Sequence, residues 1–183
     1  MRYLRSLLLL PIILLIAGCS LLVGGDPGQS QSYVVRRFVQ GDLGLDIRGG
    51  EVVDWHDDHG GFHGDGETYV EVHFSDDALA RKLALRDDWQ PLPVSRDVRI
   101  LLYGIEEGSV IRGPVLHSDG LEPWVPEIEH GYWTLLDRQP ESYRSERRRE
   151  DEPLGINNRY SWNLTIGLYD SDHHILYVLA LDT

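Results

Sequence analysis

The hydrophobic pattern opens with a block. Leu7 to Ile16 is apolar throughout, interrupted only by Pro11, and the basic residues Arg2 and Arg5 precede it. From Tyr33 onward the pattern is that of a folded domain. Tyr33–Val39 (YVVRRFV) is rich in β-forming residues and predicts an opening strand. Leu43 to Ile47 alternates, Gly49-Gly50 predicts a turn, and Glu51–Trp55 predicts a further strand. Thr68–Phe74 (TYVEVHF) places Val70, Val72 and Phe74 on one face and Tyr69, Glu71 and His73 on the other.

A helical period follows. Ser75 is placed to cap it, Asp76 and Asp77 fill its first turn, and Leu79 and Leu83 share a face before Pro91 and Pro93. Ser95 is placed to cap a second, short helix with Val98, Leu101 and Leu102 as its stripe and Gly104 at its end; a strand over Arg99–Tyr103 is the alternative. Residues 105–131 are rich in Gly and Pro and read as loop. Tyr132–Leu136 predicts a strand, and Arg138–Gly155 a polar insertion holding the mixed-charge run Glu146–Glu152. Tyr160–Tyr169 alternates, Asp170–His173 turns, and His174–Leu181 returns as a largely apolar strand, which is a β-hairpin. The sum is an α+β domain over residues 33–183: an antiparallel sheet of about six strands with one or two helices on one face.

Composition narrows the function. The chain has 183 residues, 42% of them hydrophobic, with 17 Lys and Arg against 30 Asp and Glu and a formal net charge of −13. That acid excess excludes nucleic acid as a partner and favours a basic protein or peptide. The single cysteine, Cys19, excludes an internal disulfide and a multi-cysteine zinc site.

Cys19 also ends the apolar block. Ile16-Ala17-Gly18-Cys19 closely resembles the lipobox of bacterial lipoproteins: an aliphatic residue, two small residues, then cysteine. The resemblance implies a signal peptide over residues 1–18, cleavage before Cys19, and lipidation of the Cys19 thiol. It implies a membrane partner through that lipid, on the extracytoplasmic face. Ser20 after the cysteine implies the outer membrane where a cell has two. Cleavage would remove Arg2 and Arg5 with no acid and so make the mature chain more negative still. Residues 19–32 read as the lipidated cysteine and a flexible tether, spanning on the order of 20 Å.

The segment Asp54–Glu67 (DWHDDHGGFHGDGE) concentrates the candidate chemistry. His56, His59, His63, Asp65 and Glu67 carry the ligand types of zinc and, through their carboxylates, of calcium. No cofactor is required by the rest of the chain, and the segment also reads as a solvated loop joining two strands. A third reading is a ligand or partner surface that draws on Asp57, Asp58 and Phe62 of this segment and on Trp124, which its position between Pro123 and Pro126 predicts to be exposed. There is no HExxH, no GxSxG elbow and no P-loop. His59 or His63 beside Asp65 can serve as a base with its orienting acid, but no nucleophile completes the set. His59–Glu67, Trp89–Pro93 and Ser161–Thr183 together resemble a family of small bacterial envelope proteins with an HGGFHGDGE motif. That resemblance implies an envelope location and brings no catalytic residue.

Overall fold

The structure, a computed structural model, describes residues 27–60, 64–118, 122–139, 156–158 and 161–183. The signal, Cys19, Phe62, His63 and the run Glu146–Glu152 lie outside these residues. The chain divides into two compact units, Met1–Val34 and Val35–Thr183.

The first described element is a helix, α1, over Pro27–Leu43. Tyr33–Val39 is therefore helical and not the expected strand, and the helix starts inside the segment read as a tether. The reason is visible in the spacing. Val35, Val39 and Leu43 recur every four residues and are all buried, whereas the adjacent pair Arg36 and Arg37 breaks any two-residue alternation. Pro27 at the first position is compatible with helix because its missing N–H has no partner there. Leu45 and Ile47 are buried as their alternation predicts, but they lie in a coil with no sheet neighbour.

The sheet holds the strands in the order β1-β2-β8-β7-β6-β3. These are β1 (Glu51–Asp57), β2 (Gly66–His73), β3 (Gln90–Pro91), β6 (Gly131–Asp137), β7 (Asn163–Asp170) and β8 (Ile175–Asp182), each antiparallel to its neighbours. Helix α2 (Ala78–Leu83) follows β2, and α3 (Arg96–Tyr103) follows β3. A small hairpin, β4 (Ile105–Glu107) with β5 (Val110–Arg112), occupies part of the segment read as loop.

The expected α+β fold with about six antiparallel strands is present. The expectation of one or two helices on a single face is not met: among the described residues three helices cover both faces, because the alternating strands are apolar on each side. Val70, Val72, Leu176 and Val178 pack under α1 and α2, with Leu79 and Leu83 among them. Tyr69, Ile166, Leu168, Tyr177 and Leu179 pack on the opposite face against Val98, Leu101 and Leu102 of α3. Central strands β7 and β8 are consequently buried along nearly their whole length.

Two local expectations divide. Ser95 caps α3 as its sequence predicts, accepting the Val98 N–H at 3.3 Å, and Gly104 ends it at φ 70. Ser75 does not cap α2. That helix begins at Ala78 with Asp77 at the cap position, whose side chain makes no capping bond, and the Ala78 N–H donates to the Asp76 carboxylate at 2.7 Å. An Asp carboxylate one residue nearer the helix competes effectively with a hydroxyl for the same donors.

Candidate functional site

Residues 54–60 and 64–67 form the facing ends of β1 and β2 and the paired segments that extend them. The ladder extends past the strands: the Asp58 N–H donates to the Glu67 carbonyl at 3.1 Å, and the Gly60 N–H to that of Asp65 at 3.4 Å. Gly66 permits the return strand to lie this close. A β-carbon there would stand 2.5 Å from the His59 α-carbon and 2.7 Å from its backbone nitrogen.

Strand alternation separates the candidate ligands. His56 is registered with Tyr69 and points to the α3 face, whereas Asp57 is registered with Thr68 on the α1 face. His59 turns to Asp57, its Nδ1 at 2.7 Å from the carboxylate. Asp65 and Asp58 are exposed. Among the described residues no three His, Cys, Asp or Glu side chains gather to hold a metal. The orienting acid of His59 is Asp57, and Asp65 meets this loop through its backbone carbonyl.

Thr68 completes a small cluster on the α1 face. Its hydroxyl lies 3.2 Å from His59 Nδ1 and donates to the Asp57 carboxylate at 3.3 Å. Hydroxyl, imidazole and carboxylate are thus together, yet hydroxyl and carboxylate approach the same ring nitrogen. Activating a nucleophile through an oriented base requires the two on opposite nitrogens. This arrangement stabilises the hairpin and activates nothing. Burial raises the Asp57 carboxyl, but hydrogen bonds from the His59 side chain and backbone, with the His59 charge and Thr68, outweigh it and leave the group below the usual carboxylate range.

The other face assembles a larger group. The Trp124 ring stacks on Tyr69, with centroids 5.0 Å apart and planes 19° from parallel, and on His56 at 5.6 Å and 27°. Its indole N–H donates to the Glu67 carboxylate at 3.4 Å. Trp124 is therefore half-buried against the sheet and not the exposed residue expected from its flanking prolines. The aromatic contact outweighs the local turn chemistry. Beside it, the Tyr69 hydroxyl donates to Glu71 at 2.8 Å, and the other Glu71 oxygen receives His73 Nε2. Register places Asp54 opposite Glu71 and Glu51 opposite His73. One face of β1–β2 thus carries Glu51, Asp54, Glu67 and Glu71 around an aromatic group.

Burial pushes the Glu67 carboxyl above the usual range. The nearby Asp58 charge adds to that, and the Trp124 hydrogen bond, His117 and His56 oppose it. Burial also raises the Tyr69 hydroxyl strongly, reinforced by its hydrogen bond to Glu71. Both groups are thereby held toward their neutral forms in an acidic surround.

Of the residues singled out by sequence, the structure brings His56, Glu67 and Trp124 together and sets His59 and Asp57 apart from them. Sequence reasoning missed the roles of Tyr69, Glu71 and His73. Their shared face was legible in the alternation of β2, but nothing local marked Trp124, far along the chain, as what would cover it. Compared with family models, curated proteins and solved structures, the chain matches none.

Proposed function

We propose that the chain is a lipid-anchored, extracytoplasmic binding protein whose domain captures a basic protein or peptide on the acidic and aromatic face of β1–β2. The anchor rests on the lipobox-like Ile16–Cys19. The binding surface rests on one arrangement: Trp124 laid over His56 and Tyr69 with four carboxylates on the same strand faces. Carboxylates attract Arg and Lys, and aromatic faces add cation–π attraction of about 0.5–2 kcal/mol per contact. Charge of this sign also speeds encounter with a cationic partner.

Calorimetric titration with an arginine-rich peptide and a glutamate-rich control tests the surface. Binding of the first alone, weakened by salt and lost in Trp124→Ala and Glu71→Gln, is the expected result. Binding indifferent to both substitutions, or absent, overturns the surface. Membrane fractionation of Cys19→Ala tests the anchor, since unchanged membrane retention and mass would exclude lipidation there.

A further inference from the structure

We propose that a cavity at the open end of the sheet, on the α1 face, is a binding site for a small polyhydroxylated molecule of monosaccharide size. The cavity, open to solvent on one side, offers about 230 Å³ beside Phe38 and Asp42 of α1. Its floor is formed by the start of β2, the start of β7 and the end of β8, at Thr68, Asn163, Ala180 and Asp182. Sites for drug-sized ligands run about 300–1,000 Å³, so this space suits something smaller. It lies on the other side of the sheet from Trp124 and rests on none of that surface's residues.

The wall is polar, and its guanidinium is already paired. Arg138 Nη2 lies 2.8 Å from an Asp42 oxygen. The buried Thr165 hydroxyl donates to that same oxygen at 2.8 Å and accepts from Arg138 Nη1 at 3.0 Å. His59 is held by Asp57, and the Asp182 carboxylate accepts from the Asn163 amide at 3.5 Å. These bonds do not exhaust the groups. A carboxylate has about four acceptor sites and a guanidinium five donors. The described lining therefore offers several donors and acceptors, with its one guanidinium already engaged.

Hydroxyl groups both donate and accept, so a polyol matches such a wall at several points. An anion meets Asp42 and Asp182, while Arg138 is engaged by the first of them. Phe38 adds an apolar surface against which the C–H face of a sugar ring can rest, whereas the Leu164 and Leu181 side chains lie in the core on the opposite face of the sheet. The ligand class is thus a neutral sugar or an amino sugar, and acidic sugars are rejected.

The test uses the full chain in a detergent without a sugar headgroup. Saturation-transfer NMR with glucose, glucosamine and glucuronate reads the charge preference directly. Transfer to glucose and glucosamine but not glucuronate is expected, with amide shifts at Thr68, Ala180 and Asp182. Ala180→Leu, which fills the floor, abolishes the transfer. Asp182→Asn, at the half-buried rim, weakens it about tenfold for glucosamine and less for glucose, and reads the site if Ala180→Leu fails to fold. Equal transfer to glucuronate overturns the proposal. So does no transfer to any sugar, or shifts confined to His56, Tyr69 and Trp124.

Discussion

Trp124 lies on Tyr69 as a near-parallel stack, 5.0 Å between ring centroids, although 55 residues of chain separate them. The same indole donates to Glu67, which neighbours Tyr69 across one intervening residue on the same strand face. Stacking and hydrogen bonding are therefore separable by substitution. Trp124→Phe keeps an aromatic face and removes the donor; the Glu67 carboxyl, already raised by burial, should titrate higher still. Trp124→Ala removes both and should cost about 1–3 kcal/mol in denaturant unfolding. Carboxyl NMR titration of Glu67 in the Phe variant reads the first effect; an unchanged or lower midpoint contradicts the hydrogen bond.

Asp42, Arg138 and Thr165 connect the last turn of α1 to the ends of β6 and β7. The ion pair is about one-quarter exposed on the Asp42 side and one-third on the Arg138 side, so solvent screens part of its strength. Among the described residues Arg138→Met leaves Asp42 the Thr165 hydroxyl, and it should destabilise the domain by about 1–2 kcal/mol. Asp42→Asn with Arg138→Met should cost less than the two single changes added together. A chemical-denaturation double-mutant cycle measures that coupling, and additive costs would show the pair to be energetically idle.

The hairpin of β7 and β8, the strand β2 and the cap of α3 were legible because each is declared by short-range signals. Alternation in Leu164, Ile166 and Leu168, or a serine three residues before an N–H that needs a partner, requires no tertiary context. Tyr33–Val39 misleads because β-branched residues favour strand while the spacing of Val35, Val39 and Leu43 favours helix. Burial of that stripe against Val70 and Val178 decides the matter, as packing outweighs propensity. The histidine-rich loop shows the limit of composition. His56 and His59 are three residues apart, yet strand alternation and the tie to Asp57 set them on opposite faces. Neither the Trp124 stack nor the Asp42–Arg138 pair is visible locally, because each joins residues brought together only by the completed sheet.

Gly66 places the β2 end against His59 with no room for a side chain. Gly66→Ala would drive a methyl group into backbone, which cannot rotate away as a side chain can. The turn should shift, breaking the Asp58–Glu67 backbone hydrogen bond and the contact between His59 and Asp57, at a cost of about 1–3 kcal/mol. Faster amide exchange at Asp58 and Gly60 measures the loss. Protection equal to the parent would mean that the turn tolerates the group.

The turn between β7 and β8 carries two histidine–aspartate pairs, and they give the fold a pH signature. His173 Nδ1 lies 2.8 Å from the largely buried Asp170 carboxylate, and His130 Nδ1 lies 2.8 Å from Asp172. In each case the hydrogen bond to the carboxylate, with its charge, raises the imidazole above the ordinary value of 6.5. A histidine with a raised folded-state value binds its proton more tightly in the native state. Its stabilising contribution is therefore complete below about pH 6.5 and is lost as pH rises through the higher folded value. Asp57 and Asp88, which are lowered, act oppositely: their contributions hold above the ordinary carboxylate range and fade as pH falls through the lower folded values. Stability should accordingly be greatest in the mildly acidic range between these windows. Both imidazoles are exposed, so the alkaline-side decline should be shallow and should flatten further in high salt. NMR titration should place His130 and His173 above free histidine. Asp172→Asn should return His130 toward the ordinary value and leave His173 raised, because Asp170 dominates the latter. If both histidines fall together, the two pairs are one coupled network and not two separate contacts.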